Sequence, residues 1–260
     1  MILRAVVCPS PPLLAADLTG RATVLPDLVK ACADAVARLL ADGPDTVAVV
    51  AGGRSTATWD PGSRLDLSAY GPDLPTGTPE LPLGLGLGAM LLDDAGYTGP
   101  RLLQAVAEDA SPRECLGLGA SLAGGTPRTG LLIVGDGTAR RHPKAPGHLD
   151  ERAAPFDASV ERALRDGDLS ALAELDPSLA RELMATGRAA WQVLAGAFTA
   201  PPAGEILYAD APFGVCYLVA VLDAHIDDHG LMGLCQWTAC SPIPTRKTSS
   251  PSPARSPPMS

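Results

Sequence analysis

The sequence predicts an α/β fold, and three observations carry that expectation. Short apolar runs of four to eight residues recur along the chain and stop at glycine or proline. The first two of these runs are separated by a segment with apolar residues at helical spacing, the signature of a βαβ unit with a parallel strand pair. The chain of 260 residues is also long enough for one large α/β domain, or one domain plus a tail, with a substantial core.

The elements run in order. Ile2–Cys8 reads as a strand, ended by the proline run Pro9–Pro12, because proline cannot donate to a ladder. Residues 23–41 place Leu25, Leu28, Val29, Ala33, Val36 and Leu39 on one helical face, and Gly43-Pro44 stops that helix. Thr46–Val50 is a second buried strand, closed by Gly52-Gly53. Arg54–Glu80 is a long Gly/Pro/Ser-rich loop, a length usually kept for function or motion.

Helices are expected at Leu81–Leu92 and Pro112–Leu122, with strands at Arg101–Ala107 and Leu131–Val134. A helical region comes next over Asp150–Leu164, Leu169–Leu175 and Pro177–Phe198; Asp176 is placed as an N-cap ahead of Pro177. Glu205–Tyr208 and Val215–Leu222 read as closing strands joined by a hairpin-like turn at Asp210–Gly214. The folded part is thus expected over residues 1–222. Residues 223–260 lose periodicity and read as an irregular tail, disordered from Pro242 onward by its Ser/Pro/Arg-rich composition.

Composition narrows the function classes. A formal net charge of -9 disfavours nucleic-acid binding, which needs clustered cations, and equally an anionic membrane surface. No apolar run approaches the roughly 20 residues of a membrane span, and the N-terminus lacks a signal-peptide pattern, so a cytoplasmic location is expected. The six cysteines are scattered without a CxxC, as expected of buried thiols in a reducing compartment. His225 and His229 stand at i, i+4 with Cys235 and Cys240 close behind, which leaves a Cys/His zinc site open beside the reading of an unstructured tail. The composition does not fix an oligomeric state.

The most informative stretch is Thr129–Asp157. Its apolar run stops at Gly135-Asp136-Gly137, and a loop carrying Arg140, Arg141 and Lys144 comes after it. Ligands of open α/β sheets sit just beyond the carboxyl ends of such strands. Asp136 is therefore a candidate either for binding a polar ligand or for capping the turn. The basic cluster is either an anion-binding pocket or a solvated loop paired with Asp150 and Glu151. His142 and His148 flank Lys144, as exposed loop histidines or as pocket residues. Gly84, Gly86 and Gly88 lack the spacing of a dinucleotide fingerprint and are read as close helix packing; Trp191 is read as core.

Four segments taken together carry a resemblance: CPSPPLL, GDGTARRHPKAPGHLDERAAPFD, GRAAWQVLAGA and DAPFGVCYLVAV. Residues 1–222 resemble the small actinobacterial branch of the class III extradiol ring-cleavage dioxygenases, in their B-type catalytic chains. The resemblance implies a single-domain three-layer α/β/α sandwich around a mixed, largely parallel sheet. It also implies one non-haem Fe(II) held by two histidines and a carboxylate, a further acid/base histidine, and a catechol-type substrate.

The expected ligands are missing at the matching positions. Ser10 stands where related chains carry a histidine between the prolines, and Gly187 where a glutamate is expected about one turn before Trp191. Thr138-Ala139 stands near the place of the acid/base histidine. The resemblance therefore points to an Fe(II)-dependent oxygenase, and the residues to a metal-free module for a small molecule or a protein. The mediator-of-cell-motility family shows that this fold serves outside ring cleavage. Ser10, Asp136, Thr138, Arg140, His142, Lys144 and His148 are the candidate ligand-binding residues for an aromatic or anionic ligand, with no metal ligand assigned.

Overall fold

The computed structural model describes residues 1–224, apart from 21–23, 79 and 125–126. Its strands are β1 (Ile2–Cys8), β2 (Thr46–Gly53), β3 (Ala57–Trp59), β4 (Arg101–Ala107), β5 (Thr129–Val134), β6 (Ala203–Asp210) and β7 (Tyr217–Asp223). They form a seven-stranded sheet in the order β3-β4-β2-β5-β1-β7-β6. The central strands β4, β2, β5 and β1 are all parallel, whereas β3 pairs antiparallel with β4, and β7 pairs antiparallel with both β1 and β6. The sheet is mixed with a parallel core.

Its helices are α1 (Ala16–Thr19), α2 (Pro26–Ala41), α3 (Leu83–Asp94), α4 (Pro112–Ala123), α5 (Ala153–Asp166), α6 (Leu169–Ala173), α7 (Pro177–Glu182) and α8 (Arg188–Ala197). The strand pleat sorts them into two layers. Val6, Val49, Leu103 and Leu132 point to one face, where they pack with Leu28, Cys32 and Leu39 of α2 and Leu85 and Leu92 of α3. Val7, Val50, Val106 and Leu131 point to the other, where they pack with Phe156 and Val160 of α5 and Trp191 and Leu194 of α8. Central parallel strands covered on both faces read as near-continuous apolar runs, which is why these strands are legible.

Several local expectations hold. The clearest is the N-cap at Asp176, whose carboxylate accepts from the amides of Ser178 and Leu179 at 2.7 and 3.3 Å. The glycines of α3 are packing glycines. A Cβ at position 88 would lie 2.4 Å from Val49 Cγ1, and one at 84 would lie 2.8 Å from Ala51 Cβ. Cys8, Cys32, Cys115 and Cys216 are buried free thiols, and Trp191 is fully buried in the core.

Two features differ from the expectation. The helix expected over 177–198 breaks between α7 and α8, where Met184 takes a left-handed φ of 57°. Strand β3 falls inside the stretch read as loop; Thr58 and Ala57 are held there by the side chain of Gln104 on β4. No helix among the described residues is long and apolar enough to cross a membrane. His225, His229, Cys235, Cys240 and the tail from Pro242 lie outside the described residues.

Candidate functional site

The four parallel strands end at one edge of the sheet, and the segments leaving them build a cleft there. β1 runs out into Pro9-Ser10, β2 into Arg54, β4 into Glu108 and β5 into Gly135-Asp136. The amide of Glu108 donates to the carbonyl of Gly53 at 3.0 Å, which continues the β2–β4 pairing and sets Arg54 and Glu108 side by side. A cavity of about 850 Å³ opens here; its wall includes Ser10, Arg54, Trp59, Glu108, Asp136 and Thr186.

Asp136 is the chemical centre of this cleft. Its carboxylate accepts from the amide of Ser10 at 2.6 Å. Its own amide donates to Thr186 Oγ1 at 3.2 Å, and its carbonyl accepts from the amide of Gly187 at 2.8 Å. Burial raises its pKa to about 6, against the smaller opposing effect of the Ser10 hydrogen bonds. The phenol of nearby Tyr217 is pushed up to about 12, by burial first and then by the charge of Asp136. Trp59 also lines the cleft, and its indole Nε1 is buried without a hydrogen-bond partner among the described residues.

The floor is close-packed backbone. A Cβ on Gly135 would sit 2.5 Å from the Cα of Gly187, and a Cβ on Gly187 would sit 2.4 Å from the ring of Trp191. The Trp191 ring thus lies against the backbone where a side chain at 187 would begin. Its Nε1 is also buried without a partner among the described residues.

The remaining candidates lie apart from this cleft. Thr138 is fully buried and gives its hydroxyl to Asp157 at 2.7 Å and its amide to the same carboxylate at 2.9 Å. Arg141 completes that arrangement with an ion pair to Asp157 at 3.0 Å, so it is tied to α5 and not to Asp150 or Glu151. Asp150 pairs with Arg152 instead at 2.8 Å, and that contact lowers its pKa to about 2. The Asp157 carboxyl is pushed upward by burial and pulled back by Thr138 and Arg141. Burial, and then the neighbouring Asp157, drives the Cys216 thiol far above its ordinary value, which makes it inert.

Arg140 is half-buried with its Nε unpartnered, and it lines neither cavity at the strand ends. His142, Lys144 and His148 are exposed on the loop; His142 Nδ1 accepts from the amide of Lys144 at 3.0 Å. Asp60 and Asp66 are spent on local turns, accepting from Gly62 and Ser68. The cleft thus gathers Ser10 and Asp136 from the sequence candidates and adds Arg54, Trp59, Glu108 and Thr186. Arg54 and Glu108 had a positional signal, since both directly follow an apolar run. Trp59 and Thr186 had none.

The donor set does not fit the iron centre that the resemblance implies. Among the described residues no three His, Cys, Asp or Glu side chains group as metal ligands. No histidine lines the cleft, whose carboxylates come from Asp136, Glu108 and Glu80. A hard carboxylate set without imidazole is unlike the two-histidine, one-carboxylate arrangement for non-haem Fe(II).

No protein-family model matches the sequence, and no curated protein matches it. Among solved structures the chain is similar to the crystal structure of the uncharacterized protein JW3007 from Escherichia coli K12. The TM-score is 0.47 at 13% identity, over 85% of this chain and 100% of that one.

Proposed function

We propose that the chain is a relative of the class III extradiol dioxygenases that binds a small hydroxylated aromatic compound in the strand-end cleft, with protein groups doing the recognition that iron does in the enzymes. One observation carries this reading: a deeply set carboxyl, Asp136, faces a cavity of about 850 Å³ whose lining contains no histidine and includes the aromatic side chain of Trp59. Ligand pockets typically enclose about 300–1,000 Å³ and combine apolar walls with a few placed polar groups. Trp59, Leu81, Pro82 and Leu83 supply the walls. Asp136 titrates at about 6, so near neutrality it accepts a hydrogen bond from a phenolic hydroxyl, while the Trp59 side chain offers an aromatic wall for the ligand ring.

The test has two halves. Anaerobic Fe(II) loading followed by desalting should leave far less than one iron per chain, with no oxygen uptake on a catechol panel. Titration with phenol should change Trp59 fluorescence saturably, and Asp136→Ala should weaken it. Stoichiometric retained iron with catechol-dependent oxygen uptake would overturn the proposal and restore the oxygenase reading.

A further inference from the structure

A second cavity of about 490 Å³ adjoins the cleft and shares Gly53, Arg54, Glu108 and Thr186 with it. Its other charged residues are Asp109, Arg181 and Arg188. Three guanidinium groups therefore meet two carboxylates in one concave place, on a chain whose net charge is -9.

How those cations are satisfied decides what the cavity can hold. Arg188 is only 2% exposed, yet among the described residues it has no carboxylate partner. Its Nη1 donates to the carbonyl of Ala110 at 2.7 Å and to Gln192 Oε1 at 2.9 Å, and its Nη2 donates to the carbonyl of Glu108. These neutral acceptors fix the guanidinium in place without a direct ion pair among the described residues. Burial pulls its pKa down and the positive charge of Arg181 adds to that, whereas Cys115 and Asp109 oppose it. Arg54 and Arg181 are exposed, and neither side chain makes a hydrogen bond or ion pair among the described residues. Thr186 Oγ1 accepts from Asp136, which leaves the hydroxyl proton free to donate into the shared part of the two cavities.

We propose that this cavity is an oxyanion subsite in which Arg54 and Arg181 grip a carboxylate or phosphate group beside the fixed charge of Arg188. Arginine forks suit such groups because they bind two oxygens at once. If the proposed function holds, on which this extension rests, the cleft ligand is an aromatic acid or aryl phosphate with its ring toward Trp59 and its anionic end toward Arg181. The basic loop at Arg140–Lys144 lies outside both cavities.

Inorganic phosphate tests the subsite alone, and phenol tests the cleft alone. Calorimetric titration of the full chain with phosphate should saturate, and Arg54→Gln and Arg181→Gln should each weaken it at least fivefold. Both side chains are exposed, so neither exchange reaches the core. Arg162→Gln, an exposed cation on α5, removes the same charge elsewhere and should leave phosphate binding unchanged. Absent phosphate saturation, or equal weakening by all three variants, overturns the subsite even if phenol binds. Phosphate binding without phenol binding leaves the subsite standing and removes the aromatic reading. Tighter binding of 4-hydroxybenzoate than of its methyl ester, lost in Arg181→Gln, joins the two cavities; equal binding of acid and ester overturns the proposed ligand class.

Discussion

Exchanging Asp136 for Asn should stabilise the protein near neutral pH, and the gain should vanish in acid. The carboxyl titrates at 3.8 in a free chain and at about 6 in the fold. Between those values the native state holds a proton that the unfolded chain has released, so stability falls as pH rises through this window and is level above it. At 1.36 kcal/mol per pKa unit the ionised side chain costs about 3 kcal/mol. The group retains some solvent contact, so about 2 kcal/mol is the firmer expectation.

Asn keeps an oxygen able to accept from Ser10 and cannot ionise, so Asp136→Asn removes the cost and keeps the hydrogen bond. Urea unfolding of both proteins across about pH 4 to 8 gives the measurement, because every other titrating group cancels in the difference. The variant should gain about 2 kcal/mol at the alkaline end and nothing at the acid end. A difference that does not change with pH would refute the reasoning, since the carboxyl would then not be desolvated. The site would lose its chemical centre.

Other perturbations rest on the same geometry. Thr138→Val keeps the shape but strips the hydroxyl from the buried Asp157, and should cost about 1–3 kcal/mol in urea unfolding; a cost that shrinks as pH rises would contradict it, because the ionised carboxylate needs that donor most. Gly187→Ala puts a methyl 2.4 Å from Trp191 and should cost about 1–3 kcal/mol, with a changed tryptophan emission. Unchanged stability would mean that the floor is looser than the close approach of Gly135 and Gly187 suggests.

The sheet was legible because its central strands are buried on both faces, so β1, β2, β4 and β5 stand out as apolar runs. Strand β3 was not. Its three residues sit in a Gly/Pro/Ser-rich stretch, and their conformation is imposed by β4 through Gln104, a tertiary effect with no local signal. The break at Leu183–Gly187 was equally hidden, since the amides of Ala139 and Gly187 tie the β5 loop and that turn together across about fifty residues of chain. For the site, the strand-end rule found Ser10 and Asp136. It did not single out Arg54 or Glu108, which follow β2 and β4 directly but have no glycine-bounded motif around them like that of Asp136. Arg181 and Arg188 lie on helices, and only the fold reveals that one is exposed and the other buried at the same cavity wall.

Gly187 stands where the resemblance expects a glutamate, and its surroundings leave no room for one. The carbonyl of Asp136 takes the amide of Gly187, a Cβ on Gly135 would meet its Cα at 2.5 Å, and the Trp191 ring fills the space into which a side chain would grow. A glutamate there would have to displace a fully buried indole, and overpacking a core of this density costs about 1–3 kcal/mol even for a methyl. The same close approach draws the backbone of Asp136 onto the turn before α8, which sets its carboxyl against Ser10 and the mouth of the cleft. Packing that shuts out a ligand at 187 therefore also positions the carboxyl at 136.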